Sequence, residues 1–113
     1  MIAQAEQVEC YFGYWPDFSD GNITRFSCED GATISLTIDY IDSDQNKAAQ
    51  VEIKFTGISN MELTDFKSQN IIDVLCISHG QQIKVELEAS YGLNGHFHCC
   101  AVEVTSMREI SRK

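Results

Sequence analysis

The sequence predicts a mainly β fold: a single antiparallel domain of about seven strands, built as a sandwich or an open, curved half-barrel, with at most a short helix. Three observations predict it. Several segments alternate apolar and polar residues with a period of two, which places one face of a strand in a core and the other in water. Turn-forming residues separate these segments. No long segment carries an apolar stripe at helical spacing, which disfavours α/β architectures. The 113 residues suit one domain, 1–113, with 1–10 and 106–113 as peripheral termini.

The first ten residues predict a short helix. Residues 11–18 hold five aromatics, Tyr11, Phe12, Tyr14, Trp15 and Phe18, and the only proline. That density exceeds what one strand face can hold, so an irregular segment wrapping over a sheet is expected, with Pro16 holding Trp15 extended. Asp20 is placed to accept backbone N–H bonds. An exposed stacking platform for sugars or bases is the alternative, but nucleic-acid stacking needs interleaved bases, and residues 1–24 contain none.

Asn22–Glu29 reads as a strand ending at the Asp30-Gly31 turn. Ile34, Leu36, Ile38 and Tyr40 alternate with polar residues, as do Val51, Ile53 and Phe55, and then Ile83, Val85 and Leu87. Residues 42–46 are a polar connection, 58–63 a short strand, and 65–69 one helical turn. Ile71–Ser78 is nearly continuously apolar, which predicts a central strand buried on both faces. Residues 96–104 predict one long strand after a turn at Gly92 and Gly95, and the polar tail from Ser106 is expected to fray.

Charge excludes several functions. Seventeen acids oppose eight bases, for a net charge of −9. Residues 1–46 alone hold nine acids and one base, Arg25, while Arg108, Arg112 and Lys113 sit in the last six positions. Such a surface repels nucleic acid and anionic membranes and attracts a basic partner. The start has no basic and apolar leader pattern, and five cysteines with no Cys-x-x-Cys pair suit reduced thiols, so a cytoplasmic protein is expected.

Motifs for chemistry are thin. His96, His98 and Cys100 share one strand face and could chelate, but no second paired motif completes a zinc set, so no metal and no cofactor are expected. The acid-rich chain disfavours a cysteine thiolate and places no evident helix N-terminus near one, and no phosphate-binding loop or hydrolase motif occurs, so no catalytic residue is assigned. For partner binding, the 39–46 connection draws attention through Asp39, Asp42 and Asp44, which meet no base before Lys47. Glu29 and Asp30 form a second acidic patch at the opposite end of the same hairpin.

Gly13-Tyr14-Trp15-Pro16-Asp17-Phe18-Ser19-Asp20 resembles the N-terminal signature of the immunity protein 50 family of bacterial polymorphic toxin systems. That signature reads Gly-x-Trp-Pro-x-Phe, a small or histidine position, then Asp. The segment from Val51 to Ile58 resembles the family's central strand, Phe66-x-x-Gln69-Asn70 its Phe-x-x-Gln-Asn element, and Gly92-x-x-Gly95-x-Phe97-x-Cys99 its turn into the last strand. Ser19 stands where histidine is frequent. The resemblance implies a small, mostly β, non-enzymatic cytoplasmic protein that binds and neutralises a cognate toxin, with these motif residues in structural roles. An acidic toxin inhibitor is expected to meet a basic toxin, such as a nuclease. An acidic nucleic-acid mimic outside toxin immunity and a small metal-binding β module are the alternatives. Sheet edges also leave room for a homo-oligomer.

Overall fold

The period-two segments form the middle of one sheet. In the computed structural model, which describes residues 2–110, the elements follow as β1 (Ile2–Ala3), α1 (Glu6–Phe12), β2 (Asn22–Glu29), β3 (Thr33–Asp42), β4 (Lys47–Thr56), β5 (Ser59–Thr64), β6 (Ile71–Ser78), β7 (Ile83–Tyr91), β8 (Asn94–Cys99) and β9 (Ala101–Glu109). The nine strands make a single mainly β sheet in the order β1-β9-β4-β3-β2-β6-β7-β8-β5. Every pairing is antiparallel except β1 with β9, which is parallel.

The long β3–β4 hairpin runs in unbroken register from Thr33↔Thr56 to Asp42↔Lys47. Ile34, Leu36, Ile38, Val51, Ile53, Phe55, Val85 and Leu87 are buried, as their alternation predicts. Each such side chain contributes about 1.5–3 kcal/mol through burial. Ile83 is half-buried, packing against the margin of the core.

The sheet folds over on itself at a corner. β4 pairs with β9, and their continuations β5 and β8 pair with each other. Between them, the Cys100 N–H donates to the Thr56 carbonyl at 2.8 Å. The ribbon changes direction there and brings its two arms face to face, so Phe55 of β4 meets Phe97 of β8 edge-on with ring centroids 5.1 Å apart. This corner breaks the single strand expected over 96–104 into β8 and β9 at Cys100.

Three other expectations are corrected. β9 runs to Glu109, and Met107, Arg108 and Glu109 pair with Val51, Gln50 and Ala49, so the tail from Ser106 is ladder rather than fraying chain; its last residues, Ser111, Arg112 and Lys113, lie outside the described residues. Residues 65–69 form no helical turn, because Asn70 ties the backbone of Lys67 into a bend. β6 is central in the strand order but not covered on both faces: Ile72 and Leu75 are buried, whereas Cys76 and Ser78 are exposed. It touches β2 at one register only, Asn22↔Ile71, and the strands then diverge.

The N-terminal segment fills this divergence. Val8 and Phe12 of α1, followed by Phe18, are buried in the same core as the sheet. Glu6 and Glu9 in the first turn of α1 suit the positive end of the helix dipole. No described helix is long and apolar enough to cross a membrane.

Candidate functional site

Asp39, Asp42 and Asp44 do not form one patch. Strand alternation turns Asp42 to the same side as Tyr40 and Asp39 to the opposite face. Asp42 is only 9% exposed, and its carboxylate accepts from the Tyr14 hydroxyl at 2.8 Å, the Gln45 side-chain amide at 2.7 Å and the Gln45 N–H at 3.2 Å. The bond from the Gln45 amide, and next that from Tyr14, hold its pKa below the ordinary carboxylate value. Asp39 accepts from the Gln50 amide at 2.9 Å. Asp44 is the exposed member of the three. Glu29 and Asp30 are exposed at the far end of the β2–β3 hairpin, where Asp30 and Gly31 take positive φ angles of 56° and 65°.

The aromatic segment is largely a structural clamp. Phe18 is fully buried, Pro16 is buried, and Trp15 is half-buried, edge-on to Phe18 at 5.7 Å. The Gly13 N–H closes α1 by donating to the Glu9 carbonyl at 2.7 Å. The turn that follows is held by Asp17, not Asp20: the Asp17 carboxylate accepts from the Ser19 N–H at 3.0 Å, while the Asp20 N–H donates to the Ile72 carbonyl at 2.8 Å.

Two distant motifs interlock at Asn70. Asn70 is 3% exposed; its Oδ1 accepts from the N–H groups of Lys67 (3.1 Å) and Leu93 (2.8 Å), and its amide donates to the Lys67 carbonyl at 2.8 Å. Gly92 sits against that oxygen with φ +96°, and a Cβ there would collide with it. Gly95 lets β5 approach β8, since a Cβ would strike the Glu62 carbonyl. Phe97 and Cys99 are buried, and burial raises the Cys99 thiol pKa. Phe66 and Gln69 are exposed, Phe66 at 59% and 5.6 Å from the Phe26 ring.

His96 and His98 share the face expected of them, with His96 3.7 Å from Glu62, but Cys100 lies beyond the end of β8, at the corner beside Gly57. Among the described residues, no group of three His, Cys, Asp or Glu side chains could hold a metal ion.

One concavity of the fold was not legible in any local motif. A groove of about 700 Å³ lies between α1, the Trp15-Pro16-Asp17 segment and β6. Its floor is apolar, with Trp15, Pro16, Val74 and Ile77, and carboxylates of Glu6, Glu9 and Asp17 line it with no Lys or Arg among the lining residues. The acidic hairpin end adjoins this flank: the Gln45 amide donates to the Phe12 carbonyl at 2.7 Å, and Tyr14 reaches Asp42. The Tyr40 phenol registers the same crowding, since burial first and then the nearby Asp42, Asp17 and Asp20 charges all raise its pKa.

No curated protein and no solved structure matches the chain. The sequence model of one family, immunity protein 50, matches residues 4–109, which takes in the clamp, the Asn70 interlock and every strand from β2 to β9. The chain therefore belongs to the immunity protein 50 family.

Proposed function

We propose that this immunity protein neutralises a basic protein toxin by binding over the toxin's active site or substrate groove, and that it works in the cytoplasm of the cell that makes it. The observation that carries the reading is the excess of acids, seventeen against eight bases. Glu6, Glu9, Asp17, Asp20 and Asp44 gather around α1, the clamp and the adjoining hairpin end, on a chain of net charge −9. The ammonium of Lys47 at this end is engaged by the Tyr11 carbonyl at 2.7 Å. A field of this sign speeds encounter with a basic surface and disfavours acidic partners. Nuclease toxins are basic where they hold phosphates, which makes them the favoured class. Asp39 and Asp44, with Glu29 and Asp30 at the far end of the hairpin, are the carboxylates proposed to guide approach.

The experiment is co-purification and neutralisation with the toxin domain encoded by the neighbouring gene. A stoichiometric complex that abolishes toxin activity, with affinity falling as salt rises, is the expected result. A toxin that stays fully active beside an excess of the folded protein would overturn the reading.

A further inference from the structure

The groove beside α1 has a hydrogen-bonding edge as well as an apolar floor. The Leu75 N–H points away from β7 and donates to the Asp17 carbonyl at 2.9 Å. β6 and β7 pair in regular antiparallel register from Leu75↔Leu87 to Ser78↔Lys84. In such a ladder the backbone groups of residues i and i+2 point to the same side. The N–H and C=O of Ile77 therefore face the groove, beyond the last residue that the clamp covers. Among the described residues, neither has a backbone partner there, because β2 leaves β6 after Ile71.

From this we propose that the groove receives an extended, basic segment of the toxin as an added strand on the Cys76–Ser78 edge of β6. An added strand would satisfy Ile77 through main-chain bonds and lay alternate apolar side chains on Trp15 and Val74. Lys or Arg side chains in the same segment would meet Glu6, Glu9 and Asp17, the acidic residues of the lining. That charge pattern selects a basic protein segment over an acidic peptide or an anionic lipid. The inference rests on the toxin-binding reading and adds where and in what conformation the toxin is held.

The chain carries its own reporters. Cys76 is exposed and lines the groove, while Cys28 on β2 and Cys100 at the corner are exposed elsewhere. Alkylation of the free protein and of its complex with the neighbouring gene's toxin domain, read by mass spectrometry, should show Cys76 labelling slowed at least tenfold in the complex, with Cys28 and Cys100 unchanged. Ile77→Pro removes an N–H that β7 does not use, so it spares the β6–β7 ladder. It should weaken toxin binding at least tenfold, and Glu6→Lys with Glu9→Lys should weaken it and flatten its salt dependence. A complex that forms and neutralises the toxin while Cys76 labels at its free rate would overturn the groove assignment and leave the immunity reading intact. Failure of the unmodified protein to bind at all would instead strike that reading.

Discussion

The hydroxyl of Tyr14 donates to the carboxylate of Asp42 across 28 residues of sequence, at 2.8 Å. Because a carboxylate only accepts, the Tyr14 proton is committed to Asp42, and Tyr40, also 2.8 Å away, donates to Tyr14 in turn. This chain of three residues ties the segment after α1 to the hairpin end of the sheet. Asp42, which looks like a free loop acid in the sequence, thereby becomes an internal anchor.

The anchor predicts a stability profile that falls at both extremes of pH. The folded-state pKa of Asp42 is lowered, so its contribution is present above the ordinary carboxylate value near 4 and is lost as pH falls through the lower folded value. The Tyr14 pKa is raised, chiefly by burial and then by its two hydrogen bonds, so its contribution is present below about 10 and is lost as pH rises through the higher folded value. Tyr14→Phe should cost about 1 kcal/mol near neutral pH. Melting temperature measured from pH 3 to 11 should show a flatter profile for Tyr14→Phe than for the native chain at both ends; parallel profiles would deny the anchor.

Tyr14 also marks where sequence legibility ends. The cores of β3, β4 and β7 were readable because Ile34, Leu36, Ile38, Val51, Ile53 and Val85 follow a strict period against one buried face. β6 was misread because an apolar run looks the same whether its second face is covered or opens on a groove, as that of Val74 and Cys76 does. The break at Cys100 was invisible because it comes from a tertiary corner with Thr56, not from a local turn residue. β9 beyond Ser106 looked polar because Ser106 and Arg108 face water while Met107 turns toward the core. The groove itself draws on α1, residues 15–17 and β6, and only the fold brings those together.

Within the clamp, the two central rings separate by burial. Phe18 is enclosed, and Phe18→Ala should cost about 3–5 kcal/mol. Trp15 is half-buried and keeps one face on the groove, so Trp15→Ala should cost less, about 1–3 kcal/mol. Chemical denaturation of both variants checks the order. Equal losses would mean that Trp15 is as enclosed as Phe18.

The Asn70–Gly92 contact predicts non-additivity. Asn70→Ala strands the N–H groups of Lys67 and Leu93 and should cost about 2–4 kcal/mol. Gly92→Ala pushes a Cβ onto Asn70 Oδ1 at a positive φ and should be similarly severe. With the Asn70 side chain gone, part of that collision disappears. A double-mutant cycle should return a coupling of at least about 0.5 kcal/mol, and strict additivity would mean that the two motifs fold independently.

Charge reversal at the hairpin end separates a guiding carboxylate from an anchoring one. Asp44 is exposed, so Asp44→Lys should leave stability within about 0.5 kcal/mol. If Asp44 lies in the field that attracts a basic toxin, the association rate should fall while dissociation barely changes, and the salt dependence of association should flatten. Asp42→Lys behaves differently, because the ammonium would face the Tyr14 hydroxyl and the Gln45 amide, both donors in the native structure. That variant should melt well below the native chain before any binding is considered, so reversing both acids together would confound the two roles. The paired reversal of Glu29 and Asp30, at the opposite end of β3 from Asp44, is the matching comparison. Stopped-flow association at two ionic strengths decides between the ends. A rate that drops for Glu29→Lys with Asp30→Lys and not for Asp44→Lys would move the guiding surface away from the groove flank and onto the far turn.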